Sequence, residues 1–166
     1  MVIFDASTLI LLTRAGVLDV FLDDYQGEIL IPEKVRSEIL QEGREGATFL
    51  AARLEKKKIK VIKVKSAALV KKLAGDFSLD AGEAEALVAA LEKKADAVAT
   101  DDRNAIRACK ALRMEFVTAI SIVIRAVEKG LVEKNEGLVI LGRLATIGRY
   151  RREIMDDAVK RIEGGK

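Results

Sequence analysis

The stretch VIFDASTLILL, residues 2–12, joins a buried strand to a helix through an acid. Its first residues and Asp5 form a short apolar run closed by a carboxylate, which predicts a strand over residues 2–5. From Ser7 the apolar spacing predicts a helix to about Asp24, with a break near Gly16. Asp5 therefore stands where the chain leaves a buried strand.

The same alternation of short apolar runs and longer helical segments continues downstream. We predict further strands over residues 28–31, 59–64, 97–100 and 115–117. We predict helices over residues 32–41, 44–57, 66–74 (ended by Gly75), 79–94 and 103–112, then helices broken near Gly130, Gly137 and Gly148. Strands that alternate with helices form parallel sheets covered on both faces. The fold class is therefore α/β, a three-layer α/β/α sandwich with a parallel sheet of about five strands.

Length and composition fit one globular domain. The chain has 166 residues, of which 50% are hydrophobic and 33% are charged, so it is not a disordered polymer. We assign residues 1–150 to the α/β domain and residues 151–166 to a C-terminal helix packed on it or extending it. With no long uncharged run and no basic leader, we expect no membrane span and a cytoplasmic location. Few Asn and Gln among many Lys and Glu favour a heat-adapted protein that melts above ~60 °C.

The absence of histidine and the scarcity of cysteine limit the kinds of catalytic site and metal site that the chain can form. The chain has no histidine and one cysteine, Cys109. This excludes Ser–His and Cys–His catalysis and the usual nitrogen and sulfur zinc sites. Any metal must be held by oxygen ligands, which points to magnesium, manganese or calcium.

Acids follow two of the predicted strands. Asp5 ends the first strand, and Thr100, Asp101 and Asp102 follow the fourth. In a sheet of order 3-2-1-4-5 these strands are neighbours, and ligand sites form at the carboxyl ends of such strands. Asp5, Asp101 and Asp102 could also serve as helix N-caps, and we expect one of the last two to cap the helix that starts near Arg103.

Glutamates on two helices are candidates to join these acids. Glu38 shares a helix face with Val35 and Ile39, and Glu83 shares one with Ala86 and Leu87, so both face inward. Either glutamate could instead be an ordinary surface acid. Nearby, Asp80 is also on the inner side and is either a further member of the acid group or a partner of the helix dipole, whereas Glu85 and Glu92 fall on the outer face.

Four or five carboxylates need compensation when they share one crevice, because like charges raise one another's pKa. A divalent cation would supply it. A hard cation held by carboxylates and water suits the hydrolysis of phosphodiesters.

A basic segment, residues 53–72, carries a net charge of +8 in a chain whose net charge is +3. It either binds an anionic partner such as RNA or is a solvated lysine-rich face. The candidate contacts to an RNA backbone lie in this segment and near residue 150: Lys56, Lys57, Lys58, Lys60, Arg149, Arg151 and Arg152.

Four short blocks of the sequence resemble the motifs of the PIN-domain ribonucleases, including the VapC-type toxins and related archaeal proteins. The blocks are VIFDASTLI (2–10), IPEKVRSE (31–38), DAGEAEA (80–86) and ATDDR (99–103). They resemble the family in order and spacing, and the likeness extends over about residues 1–150.

The resemblance implies a sheet of order 3-2-1-4-5 and an endonuclease acting on single-stranded RNA. Asp5, Glu83 and Asp101, Asp102 or both would hold one or two Mg²⁺ or Mn²⁺ ions. Glu38 would bind the metal through water or position the attacking water. Ser7 and Thr100 would orient the carboxylates. The family also implies an antitoxin partner and a homodimer.

Two other functions stay open. One is a non-catalytic domain of the same shape that binds RNA or a protein. The other is a magnesium-dependent phosphatase or phosphoacceptor domain that uses Asp5. The apolar segments over residues 118–129 and 138–147 fit a dimer interface, a groove for an antitoxin, or simply the core.

Overall fold

The computed structural model of the chain describes residues 1–164. Five strands form one sheet: β1 (Val2–Phe4), β2 (Ile29–Pro32), β3 (Lys60–Ile62), β4 (Ala97–Ala99) and β5 (Phe116–Val117). The helices within this range are α1 (Ala6–Ala15), α2 (Leu18–Asp24), α3 (Glu33–Ile39), α4 (Ala47–Glu55), α5 (Ala67–Phe77), α6 (Ala81–Lys93), α7 (Arg103–Ala111), α8 (Ala119–Glu128), α9 (Lys134–Ile147) and α10 (Arg152–Glu163).

The sheet is parallel throughout, with strand order β3-β2-β1-β4-β5. In the centre, Ile3 pairs with Leu30 on one side and with Val98 on the other. Both the α/β class and the predicted strand order are confirmed. The strand order reverses between β1 and β4, so a crevice opens where these two strands end.

The sheet separates two apolar cores. Phe4 and Ile31 face a core built with α1, α3, α8, α9 and α10, whereas Ile3 and Val98 face a core built with α5, α6 and α7. Neighbouring residues of β1 enter opposite cores because side chains alternate along a strand. The molecule is therefore a three-layer sandwich.

Two predicted helix ends are wrong. Helix α5 runs past Gly75 to Phe77, and Phe77 packs on the second core. Likewise α9 runs through Gly137, where a Cβ would lie 2.4 Å from Cγ2 of Val127 on α8. Gly137 thus allows two helices to approach closely, and burial outweighs the low helix propensity of glycine.

Glu85 and Glu92 do not lie free on an outer face as the periodicity predicted. Glu85 accepts a hydrogen bond from the backbone N–H of Lys34 (3.1 Å), at the start of α3. Glu92 accepts bonds from the N–H groups of Lys65 and Ser66, at the start of α5. These carboxylates satisfy N–H groups that the helices cannot pair themselves, so α6 holds α3 in place.

The C-terminal part of the chain packs on the first core. Helix α10 buries Ala158 and Ile162 there, and α8 buries most of its apolar residues in the same core. Most apolar residues of α8 therefore belong to the core, whereas Val139 on α9 is 55% exposed. The division into residues 1–150 and 151–166 stays a prediction, and Gly165 and Lys166 lie outside the described residues. Within residues 1–164, no helix has the length and apolarity needed to cross a membrane.

Candidate active site

Asp5 lies at the carboxyl end of β1 and is 1% exposed. Its Oδ2 accepts hydrogen bonds from the hydroxyls of Thr100 (2.6 Å) and Ser7 (3.0 Å). Its Oδ1 accepts a bond from the N–H of Thr8 (2.8 Å), so Asp5 is also the N-cap of α1. The two hydroxyls fix the orientation of the carboxylate, as predicted for Ser7 and Thr100 from the sequence.

Asp101 is held by hydrogen bonds from three separate parts of the fold. Its Oδ2 accepts bonds from the Thr8 hydroxyl and the Ala119 N–H, each at 2.9 Å, and its Oδ1 accepts one from the Tyr150 hydroxyl (2.7 Å). Three donors thus engage the two oxygens. Asp101 ties the end of β4 to α1, α8 and the segment before α10.

Asp102 is the N-cap of α7. Its Oδ1 accepts hydrogen bonds from the N–H groups of Asn104 (2.7 Å) and Ala105 (2.9 Å). The predicted cap is therefore Asp102 rather than Asp101. The other oxygen, Oδ2, accepts no hydrogen bond from the described residues, which leaves it available to a ligand.

Glu83 and Asp80 form a capping box at the start of α6. Glu83 Oε2 accepts from the Asp80 N–H (2.9 Å), and Asp80 Oδ1 accepts from the Glu83 N–H (2.8 Å). The box turns Glu83 back toward its own helix end. It also brings Asp80, which the sequence placed on the inner side of the helix, to the edge of the site.

Glu38 reaches the site across a glycine. A Cβ on Gly82 would lie 2.6 and 2.8 Å from the two carboxylate oxygens of Glu38. Any other residue at this position of α6 would therefore push Glu38 away. Glu38 is half-buried, as its inward position on α3 predicts.

The acids share two adjoining cavities. The first, here called the acid pocket, has a volume of about 290 Å³ and is lined by Asp5, Glu38, Asp80 and Glu83. The second, the arginine cleft, has a volume of about 1040 Å³ and also contains Glu83. The cleft adds Asp101 and Asp102 and five arginines: Arg14, Arg44, Arg103, Arg107 and Arg149.

Crowding and burial shift the titration of these acids. Burial raises the pKa of Asp5 to about 6, against the hydrogen bonds that lower it. Burial raises the pKa of Glu83 to about 7, helped by the charges of Asp80, Asp102 and Asp5. The pKa values of Glu38 and Asp101 are also raised, in both cases chiefly by burial. Without a cation, these carboxylates destabilise one another.

The carboxylate oxygens of these acids are ligands of the type that a hard divalent cation prefers. In their present positions, however, they do not form a complete binding site. Across residues 1–164, no three acidic, His or Cys side chains lie close enough to hold an ion. Glu83 closes a capping box, and Asp5 and Asp101 are each engaged by three donors. Asp5, Glu83 and Asp102 nevertheless interact electrostatically, and all offer oxygen ligands of the kind that Mg²⁺ and Mn²⁺ prefer.

Part of the basic segment lies far from the acids. Lys58 pairs with Asp23, and Lys60 pairs with Glu28 (2.7 Å), next to the amino ends of β3 and β2. Asp5 follows the carboxyl end of β1, at the opposite edge of the sheet. Lys56 and Lys57 are exposed at the end of α4, and Arg152 pairs with Asp156 on α10 (3.7 Å). Arg151 is the N-cap of α10.

The raised pKa of Asp5 predicts how the metal-free protein responds to pH. The folded pKa, about 6, exceeds the unfolded value, so this group stabilises the fold at low pH and that stability is lost as pH rises. Between pH 5 and pH 8 the free energy of unfolding should fall by about 1.4 kcal/mol from Asp5 alone. Urea unfolding in EDTA at the two pH values measures it.

The Asp5→Asn variant is the control, because it cannot ionise at this position and should show a smaller fall. Glu83 titrates in the same range and supplies the remainder. Equal stability of the unmutated protein at pH 5 and pH 8 would contradict the buried, charged Asp5.

A family model described as a PIN domain matches residues 1–163. No curated protein and no solved structure matches the chain significantly. The match spans all five strands and all the acids of the two cavities.

Proposed function

The chain belongs to the PIN-domain family, a nuclease-type fold, and from that premise we propose that it is a metal-dependent endoribonuclease acting on single-stranded RNA. One observation carries the proposal. Asp5, Glu83 and Asp102, from three separate elements, lie at the carboxyl edge of the sheet, where burial and then the charges of Asp80, Asp102 and Asp5 raise the pKa of Glu83. Such crowding of carboxylates favours the binding of a divalent cation.

We assign Asp5, Glu83 and Asp102 as ligands of Mg²⁺ or Mn²⁺. Of the two adjacent aspartates, we choose Asp102 because its Oδ2 accepts no hydrogen bond from residues 1–164, whereas both oxygens of Asp101 accept hydrogen bonds. Both oxygens of Asp5 accept hydrogen bonds as well, and we include it because it shares the acid pocket with Glu83, which Asp101 does not line. Glu38 and Asp80 lie farther along the acid pocket, where they would bind the ion through water. When bound, the ion supplies a water of lowered pKa and neutralises charge on the phosphate.

The protein's own residues orient the reaction. Ser7 and Thr100 hold the Asp5 carboxylate in one orientation. Glu38 would accept a hydrogen bond from the attacking water, and its raised pKa supports a role in taking up a proton. Charge that develops on the phosphate is met by the cation and by the arginines of the cleft.

The arginine cleft favours a nucleic-acid substrate over a small phosphomonoester. Its five arginines are exposed, and only Arg14 forms a salt bridge within residues 1–164, with Glu45 (2.9 Å). Phosphate contacts from several arginines give affinity without sequence choice. Binding of single-stranded RNA should therefore weaken steeply with salt.

The direct test is cleavage of a fluorescent single-stranded RNA with Mn²⁺, with and without EDTA, beside the Asp5→Asn variant. We expect internal cuts that require the metal and disappear in the variant. RNA binding that survives in both proteins without any cutting would favour the non-catalytic alternative. Turnover of p-nitrophenyl phosphate without RNA cleavage would favour the phosphatase alternative.

Gly82→Ala should slow cleavage by about tenfold, comparable to the loss of an outer-shell partner of a metal site. The new Cβ would displace Glu38, whereas alanine in the helix adds up to about 1 kcal/mol of stability. Steady-state cleavage and thermal melting measure the two effects. Glu38→Gln is the matched variant, and a Gly82→Ala enzyme with unchanged rate would show that Glu38 plays no part.

A homodimer and an antitoxin partner belong to the same proposal, as does a cytoplasmic location. Exposed apolar residues on the outer helices, Val139 and Ile154, support a protein contact at α9 and α10. Light scattering of the purified chain tests the dimer. Co-purification with the product of the adjacent reading frame, with inhibition of cleavage, tests the antitoxin.

A further inference from the structure

The short linker between α9 and α10, residues 148–151, forms one wall of the arginine cleft. Gly148, Arg149 and Tyr150 all line the cleft that contains Glu83 and Asp102. The linker has no helical or strand structure, and α10 begins at Arg152. Backbone hydrogen bonds tie its two ends to the flanking helices, from Gly148 N–H to the Leu144 carbonyl and from Met155 N–H to the Arg151 carbonyl, and side-chain contacts hold its middle.

Tyr150 supplies the main polar contact. Its hydroxyl donates to Oδ1 of Asp101 at 2.7 Å, the one hydrogen bond of the described residues that joins this linker to a part of the fold other than its flanking helices. Asp101 is itself held by the Thr8 hydroxyl and the Ala119 N–H. The linker is thus anchored to the end of β4, next to Asp102.

A close turn brings the tyrosine to that position. Its ring folds back against Gly148, where a Cβ would lie 2.3 Å from Cε2 of Tyr150 and 3.0 Å from the carbonyl oxygen of Leu144. The ring also packs at the margin of the first core. Glycine is therefore required beside the ring, and the hydroxyl is directed at Asp101.

Arg149 precedes the anchored tyrosine and is exposed on the cleft. Within residues 1–164 it forms no salt bridge, so its charge is available to a ligand, unlike that of Arg14 or Arg152. The anchor restricts how far Arg149 can move from Asp102. A guanidinium held in this way is suited to bind one phosphate beside the reacting one.

We propose that the Tyr150–Asp101 hydrogen bond positions Arg149 to bind a phosphate of the RNA strand flanking the scissile bond. This inference rests on the proposed nuclease function. It assigns Asp101 a positioning role in substrate binding rather than a ligand role. Tyr150 is a positioning residue that acts through Arg149.

The experiment compares Arg149→Gln, Tyr150→Phe and the double variant in Mn²⁺-dependent cleavage of a fluorescent single-stranded RNA. We expect Arg149→Gln to raise KM about fivefold to tenfold, with kcat within about twofold, and to reduce the salt slope of binding by about 1. Tyr150→Phe should raise KM severalfold. The double variant should be no worse than Arg149→Gln alone, because both act through one contact.

Arg125→Gln is the matched control, since Arg125 is exposed on α8 and lines a different groove. Its KM should not change. Melting temperatures and Mn²⁺ affinity of all variants should stay near those of the unmutated protein.

Several results would overturn the inference. Additive effects of the two substitutions would show that Tyr150 does not act through Arg149. A Tyr150→Phe variant with a lowered melting temperature, a reduced kcat and an unchanged KM would show that Tyr150 has only a structural role. Normal KM in Arg149→Gln, with full cleavage by the unmutated protein, would remove this inference alone. Absence of both RNA binding and cleavage in the unmutated protein would remove the proposed function as well.

Discussion

Asp5→Asn is expected to lower Mn²⁺-dependent RNA cleavage by at least about 100-fold, because it removes a carboxylate ligand at the centre of the site. The same substitution should leave the metal-free protein as stable at pH 8, or more stable. Asn keeps an oxygen that can cap α1. The substitution also removes the buried negative charge of Asp5, which destabilises the folded protein at pH 8. Cleavage rates and thermal melting in EDTA measure the two effects.

The pairing of lost activity with retained stability is what distinguishes a site residue from a core residue. Added Mn²⁺ should raise the melting temperature of the unmutated protein but have much less effect on the variant. A variant that unfolds at lower temperature in EDTA would show that Asp5 is mainly structural. A variant that still cleaves at the normal rate would contradict the metal site.

The second large effect is expected at Asp102, where two substitutions separate capping from catalysis. Asp102→Ser keeps a side-chain oxygen for the N–H groups of Asn104 and Ala105, whereas Asp102→Ala does not. Both should lower cleavage about 100-fold, as expected for a lost metal ligand. Only the alanine variant should lose about 1 kcal/mol of stability.

Mn²⁺ titration calorimetry and urea unfolding measure these outcomes. Asp101→Asn is the comparison, because both oxygens of Asp101 are already engaged and its substitution should leave Mn²⁺ affinity near normal. The opposite result, with Mn²⁺ binding lost in Asp101→Asn and kept in Asp102→Ser, would exchange the roles of the two aspartates.

Capping and metal binding are compatible at this site. Asp5, Asp80 and Asp102 are the N-caps of α1, α6 and α7, three helices that begin at the same edge of the sheet. Each uses one oxygen to cap, and the positive ends of three helix dipoles partly offset the negative charge gathered there. The structural and functional interpretations that the sequence offered for Asp5 and Asp102 therefore describe one arrangement.

The sequence by itself determined the fold class and the place of the site. Short apolar runs, the alternating segment 59–64 and the period-3.6 patterns between them located all five strands, and acids after the first and fourth strands marked the edge where they would meet. The strand order was an expectation from the resemblance to the PIN-domain family, whereas local chemistry was enough to predict the strands and the acids that follow them. It was also enough to place Glu38 and Glu83 on inward faces of their helices.

Tertiary structure alone decided which way each carboxylate points. Asp101 and Asp102 are adjacent, yet Asp101 meets donors from residues 8, 119 and 150, which no local pattern brings together. In the same way, Gly82 leaves room for Glu38, which comes from a distant part of the chain, and Gly137 leaves room for Val127 on the helix that precedes it. The outcome in each case depends on which donors and side chains a residue meets after folding, and that pairing is a property of the packed molecule rather than of its periodicity.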